Sequence, residues 1–249
     1  LARIMQINSS GPSQPEEEPS RIPRAFEEPS KRNSTRTRAR RASRRQSGGG
    51  NALSNWGGAR NRRNRISTAL KQEHSEGILK AIAVAELKGM PLNRYWTVNY
   101  EWAGIDDGDG AAFIGKLLAQ CGRFARNQGG CFAAVWVREI GPKNGAHVHI
   151  ALHLPLGWKL SGHHPRKWIK RAGGQYSTKV SDMRPIGGRL DCASTNPAHY
   201  WANAEAMANY MVKGSSETVA VELGLRLRKH GGLVVGKRWG RTQNIGSMA

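Results

Sequence analysis

The sequence predicts an α+β domain: a four- to five-stranded antiparallel sheet in split β-α-β order, with helices on one face, preceded by a disordered basic arm. Three observations predict it. From residue 94 onward the apolar pattern alternates between a strand period and a helix period, in the order strand, helix, strand, strand, helix, strand, helix. Two apolar runs, 132–140 and 147–154, flank the turn-forming stretch Gly141-Pro142-Lys143-Asn144-Gly145 and read as a hairpin. Residues 1–65 lack hydrophobic periodicity and are dominated by Ser, Pro, Glu, Arg, Asn and Gly. Such a composition buries too little apolar surface to offset the entropy of ordering.

The elements follow in chain order. Leu70, Glu73 and the Ala-, Leu- and Ile-rich run 77–87 predict a helix stopped by Gly89 and Pro91. Residues 94–102 mix β-branched and aromatic side chains and predict a strand. A loop over 104–110 follows, with Asp109 as the expected N-cap of a helix carrying Phe113, Leu117, Leu118, Cys121 and Phe124 at helical spacing. After the hairpin, residues 165–172 predict a short basic helix around Trp168 and Ile169, and residues 178–191 a weaker strand. Asn196-Pro197 then opens a helix to about Lys213. In this order the hairpin strands occupy the middle of one sheet with one face left open, a surface suited to nucleic acid. The boundaries are an arm over 1–65, acidic and then Arg-rich, a folded domain over 66–230, and a basic, Gly-rich tail over 231–249.

Charge points to the partner. The chain carries a formal +21 over 249 residues. Residues 1–30 contribute −2, residues 31–65 contribute +12, and the folded part keeps about +11. A polyanion, nucleic acid first, is the expected ligand. Arg36, Arg38, Arg40, Arg41, Arg44, Arg45, Arg62 and Arg63 in the arm, with Lys167, Lys170 and Arg171 in the basic helix, are the expected phosphate contacts. No run reaches the roughly 18 apolar residues of a membrane-spanning helix, and run 78–87 is short and contains Lys80. No secretory signal pattern is visible. Cys121, Cys131 and Cys192 are odd in number and widely spaced, as expected of reduced cytosolic thiols rather than a disulfide frame.

The chemistry is concentrated at the hairpin. Residues two apart on a strand point the same way, so His147, His149 and His153 share one face while Val148, Ile150, Leu152 and Leu154 share the other. Pairing across the turn brings Glu139 to the first two histidines. A carboxylate and two imidazoles around one point make a divalent-metal site with positions left for water or substrate. Asp191 and Glu205 are the other carboxylates able to complete the set. His153 lies farther along the strand and is expected to meet solvent or substrate; His163 and His164 receive no role. In the last helix Tyr210 and Lys213 stand three apart and present a phenol and an ammonium together.

This set, His147-Val148-His149 on a strand followed by Tyr210-Met211-Val212-Lys213 on a helix, resembles the His-hydrophobe-His (HUH) endonucleases, which include rolling-circle replication initiators, relaxases and single-tyrosine transposases. The resemblance covers about residues 92 to 215. Glu139, eight residues before His147, stands where several initiators keep an acidic third ligand, and 95–99 is similar in position to their apolar first motif, with Asn99 where Thr is frequent. The resemblance implies Mg²⁺ or Mn²⁺ as cofactor and Tyr210 as the nucleophile that becomes joined to the 5′ end of the cut strand, with Lys213 orienting the phosphate or favouring the phenolate and Tyr200 in reserve. It further implies single-stranded and origin DNA as partners, and a plasmid- or phage-encoded protein in the bacterial cytoplasm. No second tyrosine follows Lys213 and no P-loop helicase follows the nuclease, so a host helicase and polymerase are implied too.

Two other functions compete. One keeps the chemistry in a transposase or mobilisation relaxase. The other is a non-catalytic nucleic-acid-binding or packaging protein whose arginine arm does the work. The C-terminal stretch 226–241, with Trp239 among basic residues, fits either a segment that tracks a single strand and stacks on a base or a packed strand with flanking charges.

Overall fold

A computed structural model describes residues 65–142, 144–156, 162–225 and 231–246. Arg36, Arg38, Arg40, Arg41, Arg44, Arg45, Arg62 and Arg63, and with them the expected disordered arm, lie outside the described residues.

The elements in chain order are β1 (Ile66–Ser67), α1 (Gln72–Leu87), β2 (Arg94–Asn99), α2 (Tyr100–Ala103), α3 (Gly110–Asn127), β3 (Ala133–Gly141) and β4 (Gly145–His153). There follow α4 (His163–Ala172), β5 (Ser181–Pro185), α5 (Cys192–Thr195), α6 (Pro197–Met211), α7 (Glu217–Glu222), β6 (Val234–Val235) and β7 (Trp239–Arg241). Five strands form one antiparallel sheet in the order β5-β2-β4-β3-β7, and β1 pairs with β6 in a separate two-stranded ribbon. The α+β class, the five-stranded antiparallel sheet and the element order from residue 94 are those the sequence predicts.

Strand alternation sorts the core into two layers. Trp96, Val98, Ala134, Trp136, Val148, Ile150 and Leu152 project to one face, where Phe113, Ile114, Leu117 and Cys121 of α3 and Trp168 and Ile169 of α4 cover them. Ala133, Val135, Val137 and Ala151 project to the other, against Ile78, Ile82 and Ala85 of α1 and Ala204, Ala208 and Met211 of α6. Helices therefore cover both faces, where an open face was expected. Small side chains meet there: Ala81 and Ala85 of α1 pack in one cluster with Ala133, Val135, Val137 and Ala151 of the sheet. Among the described residues no helix is long and apolar enough to cross a membrane.

Three local expectations are corrected. Strand β2 ends at Asn99, not at residue 102, because Tyr100 turns into the core as the start of α2. There its ring meets Phe113 edge-on at 5.8 Å and its hydroxyl donates to the Gly110 carbonyl at 3.3 Å. Asp109 sits at the N-cap position of α3 without making a capping hydrogen bond. Asp107, two residues earlier, has its carboxylate accepting from Arg138 and from the Val235 backbone N–H at 2.6 Å. Finally, 231–246 is part of the fold rather than a tail. Strand β7 is the edge strand beside β3, with Val135 opposite Arg241 and Val137 opposite Trp239, so this part of the stretch is packed strand, whatever its side chains bind.

That C-terminal segment is pinned where β3 approaches the hairpin turn. The Arg138 N–H donates to the Arg238 carbonyl at 2.7 Å and the Ile140 N–H to the Gly231 carbonyl at 2.8 Å. The wholly buried Arg138 guanidinium donates to the carbonyls of Val235 at 2.9 Å and Lys237 at 3.0 Å. Such charge-assisted bonds are the stronger kind. Gly232 makes the approach possible, since its φ is +68° and a Cβ there would overlap the Ile140 carbonyl. We therefore expect Gly232→Ala to lower the unfolding free energy by about 2 kcal/mol or more, since backbone strain of this kind costs roughly 1–3 kcal/mol before any clash; urea denaturation measures it.

Candidate metal centre and its tyrosine

Register places the donors. Glu139 on β3 is directly opposite His147 on β4, and Val137 opposite His149. Glu139, His147 and His149 thus share a sheet face at the turn end of the hairpin, and one ligand atom from each lies within 4.8 Å of the others. All three residues are buried, at 3, 6 and 3% exposure, so ordinary solvation does not account for three polar side chains here. The Glu139 Oε2 is 3.7 Å from His147 Nε2 and 3.4 Å from His149 Nε2, and the two Nε2 atoms are 3.2 Å apart.

The imidazoles are held from behind. His147 Nδ1 is 2.9 Å from the Gly145 carbonyl, which can only accept, so Nδ1 donates there and Nε2 is the atom turned to the centre. His149 Nδ1 meets the Thr97 hydroxyl at 3.1 Å, Thr97 being its partner in register on β2. Tyr95, also on β2, stacks on the His149 ring with centroids 5.5 Å apart and planes 19° from parallel. The Glu139 Oε1 atom is buried without a hydrogen-bond partner, an acceptor left over for a cation. Two oriented imidazole nitrogens and a carboxylate with a spare lone pair fit a divalent ion, and this group can hold one.

Electrostatics agree with that donor set. Burial opposes ionisation of Glu139, but hydrogen bonding to His147 and His149 and the Lys213 ammonium outweigh it and hold the carboxyl well below its usual range. Burial pushes His149 down to about 4 against the raising influence of Glu139, so its ring is neutral near pH 7 and able to ligate.

The end of α6 delivers the other two residues. Asn196 caps this helix by accepting from the His199 N–H at 3.2 Å, with Pro197 in its first turn as its sequence predicts. Tyr210, half-buried, sets its ring edge-on to His149 at 5.1 Å and to Tyr95 at 6.0 Å. Lys213 lies just past the helix end rather than in it. Its ammonium is 2.8 Å from Glu139 Oε2, 3.4 Å from His149 Nε2 and 3.4 Å from the centroid of the Tyr210 ring. Phenol, ammonium, carboxylate and imidazoles therefore converge on one point.

Other predicted residues stand elsewhere. Lys167, Lys170 and Arg171 are exposed on α4, which packs on the opposite face of the sheet from the metal group. Tyr200, the reserve nucleophile, is 2% exposed, its hydroxyl 3.1 Å from both Glu86 Oε2 and the Leu92 carbonyl; it is a structural residue. Asp191 pairs with Arg189 at 3.0 Å, and Glu205 is exposed, so Glu139 is the carboxylate in the group. His153 is buried rather than open to solvent or substrate, because its Nδ1 bonds the Pro91 carbonyl at 2.8 Å.

Three contributors went unread in the sequence. Thr97 becomes visible only once β2 is registered on β4. Gly231 backs Glu139, since a Cβ there would come within 3.1 Å of the Glu139 Cγ and 3.1 Å of Arg238 Nη1. Arg238, 3% exposed, is pinned by the Ser67 hydroxyl at 2.9 Å and carbonyl at 2.7 Å. The only sequence signal for the last two was the apolar 233–235 stretch, which reads as strand if basic neighbours are disregarded.

Thr97→Val removes the hydroxyl behind His149 while keeping shape, so calorimetric titration with Mn²⁺ is expected to show affinity falling roughly 10- to 100-fold. Burial holds His153 below the ordinary histidine value. The unfolded chain then takes up the proton first as pH falls, so this share of stability is present above about pH 6.5 and is lost as pH falls through the folded-state pKa. Urea midpoints measured from about pH 7 to pH 5 should fall, and His153→Gln should flatten the slope. In comparisons across protein-family models, curated proteins and solved structures, no family model, curated protein or solved structure matches this chain.

Proposed function

We propose that the protein is a metal-dependent endonuclease and strand transferase that nicks single-stranded DNA through a covalent 5′-phosphotyrosine, of the kind that initiates rolling-circle replication of a plasmid or phage. The observation that carries this reading is the meeting of Tyr210 and Lys213 with the Glu139, His147 and His149 group. A binding protein has no use for a phenol and an ammonium beside three buried metal donors.

Glu139, His147 and His149 would hold Mg²⁺ or Mn²⁺, which when bound supplies polarisation of the scissile phosphate and stabilisation of developing charge. Two imidazoles among the donors favour Mn²⁺ over Mg²⁺, whose preference is for oxygen. The phenol oxygen of Tyr210 forms the new bond to phosphorus as the bond from phosphorus to the 3′ oxygen breaks. The phenolic proton is lost, and the departing oxygen takes one up to become a 3′ hydroxyl. An ordinary phenol has a pKa near 10 and is a weak nucleophile at neutral pH. Lys213 supplies charge beside it: its ammonium lies over the Tyr210 ring, 3.4 Å from the centroid, and can turn to the phosphate and orient it. The phosphotyrosine conserves the energy of the broken ester, so the 3′ hydroxyl can rejoin the strand by reversal. Tyr210 as the one nucleophile suits one cut per protein molecule; unwinding and synthesis would come from a host helicase and polymerase.

Tyr210→Phe is expected to abolish cleavage of a labelled single-stranded oligonucleotide in Mn²⁺ while leaving its binding, read by fluorescence anisotropy, within about twofold, a difference of roughly 0.4 kcal/mol. Cleavage retained by the variant would remove Tyr210 from the reaction. Wild-type binding without cleavage, on single strands and on duplex origins alike, would favour the packaging or binding protein.

A further inference from the structure

A second basic surface is built where the two ends of the folded chain meet. The residue before β1, the first turn of α1 and the β6–β7 segment enclose a groove of about 1050 Å³. That volume is at the upper end of the roughly 300–1,000 Å³ of ligand pockets, room enough for a short run of linked units. Arg65, Lys71, Lys237, Arg238 and Arg241 line it, and Glu73 is the one acidic lining residue. Arg65, Lys71 and Lys237 are exposed, Lys237 with its ammonium also 5.5 Å from the centroid of the Trp136 ring.

Aromatic surface lies among these charges. Trp239 and His74 line the groove with ring centroids 6.1 Å apart, and the Arg241 guanidinium is 5.7 Å from the Trp239 ring. Trp239 is seated on α1 at Gly77, where a Cβ would come within 2.5 Å of the indole. Helix α1 also directs its N-terminal end, the positive end of its dipole, to the same place. Cations spaced along a groove, with rings between them, follow a phosphate backbone whose bases are unstacked. In sequence, Arg65 closes the run of twelve Lys or Arg without an acid that begins at Lys31.

We propose that this groove is a binding site for single-stranded nucleic acid, separate from the metal centre, with phosphates on Arg65, Lys71, Lys237 and Arg241 and bases against Trp239 and His74. It lies beside β7, the edge strand next to β3, and so on the flank of the sheet that carries Glu139. A strand held there is a strand kept near the hairpin. The assignment concerns binding alone and requires no step of the cleavage reaction.

The test uses the full-length chain in chelator, where no cleavage occurs. Lysines are acetylated briefly with and without a thymidine oligonucleotide, and modification is read by mass spectrometry. Lys71 and Lys237 are expected to be protected at least threefold, while Lys116, exposed on α3 over the other face of the sheet, reacts equally in both samples. In anisotropy titrations across salt concentrations, Lys71→Gln with Lys237→Gln is expected to lower the logarithmic salt slope by about 1.4, at roughly 0.7 per phosphate contact on a single strand. Unchanged acetylation of Lys71 and Lys237, or protection by duplex but not by the single strand, overturns the proposal. Acetylation is read on the unmutated protein, so a misfolded variant cannot decide the result. Because neither readout involves cutting, a failed groove leaves the nuclease reading standing, and a failed nuclease leaves the groove.

Discussion

The pairing of Glu139 with His147 across the β3–β4 hairpin is the constraint on which the rest of the structure depends. Strand side chains alternate with period two, so slipping this register by one residue would send the histidines into the layer of Trp96, Trp136 and Ile150 and bring Val148 to the metal group. The apolar residues of β4 forbid that slip. Burying Val148, Ile150 and Leu152 against α3 and α4 stabilises the register, each side chain contributing roughly 1.5–3 kcal/mol, and the same register holds three polar groups together inside the protein. The hydrophobic pattern is in this sense the device that builds the polar site.

What surrounds the hairpin makes its charges tolerable. Isolated buried charge is costly, and Glu139 is relieved by Lys213 at 2.8 Å and by two imidazoles. The C-terminal segment closes the back of the site, its Gly231 lacking the Cβ that would press on Glu139. Arg138, next to Glu139 on β3, holds that segment in place through Val235, Lys237 and Asp107. Neighbouring residues on β3 thus serve opposite faces of the strand: Glu139 faces the metal group and Arg138 fastens the cover.

The candidate site was legible where local pattern decides it. His147-Val148-His149 shows its faces through alternation alone, the turn residues fix the hairpin, and Tyr210 and Lys213 sit beyond a helix start marked by Asn196-Pro197. Contributions set by long-range register were not legible. Thr97 lies opposite His149 on a strand about fifty residues away in sequence, and β7 joins the sheet from the far end of the chain. The basic residues around β6 and β7 masked those short strands, because charge suggests a solvated tail while two or three residues of strand carry almost no periodicity. The expectation of an open sheet face failed for a related reason: α1 precedes the β-α-β unit in sequence, and nothing local says which face it will cover.

Metal donors, phenol and ammonium at one point support a single chemical account, in which Tyr210 takes the phosphate. Its most direct test is to incubate the protein with labelled single-stranded DNA and Mn²⁺, denature and digest it, and locate the peptide that carries the nucleotide by mass spectrometry. The account predicts a 5′-linked nucleotide on the peptide containing Tyr210, absent when chelator replaces Mn²⁺. A nucleotide on any other residue, or cleavage that leaves no covalent adduct, would contradict it.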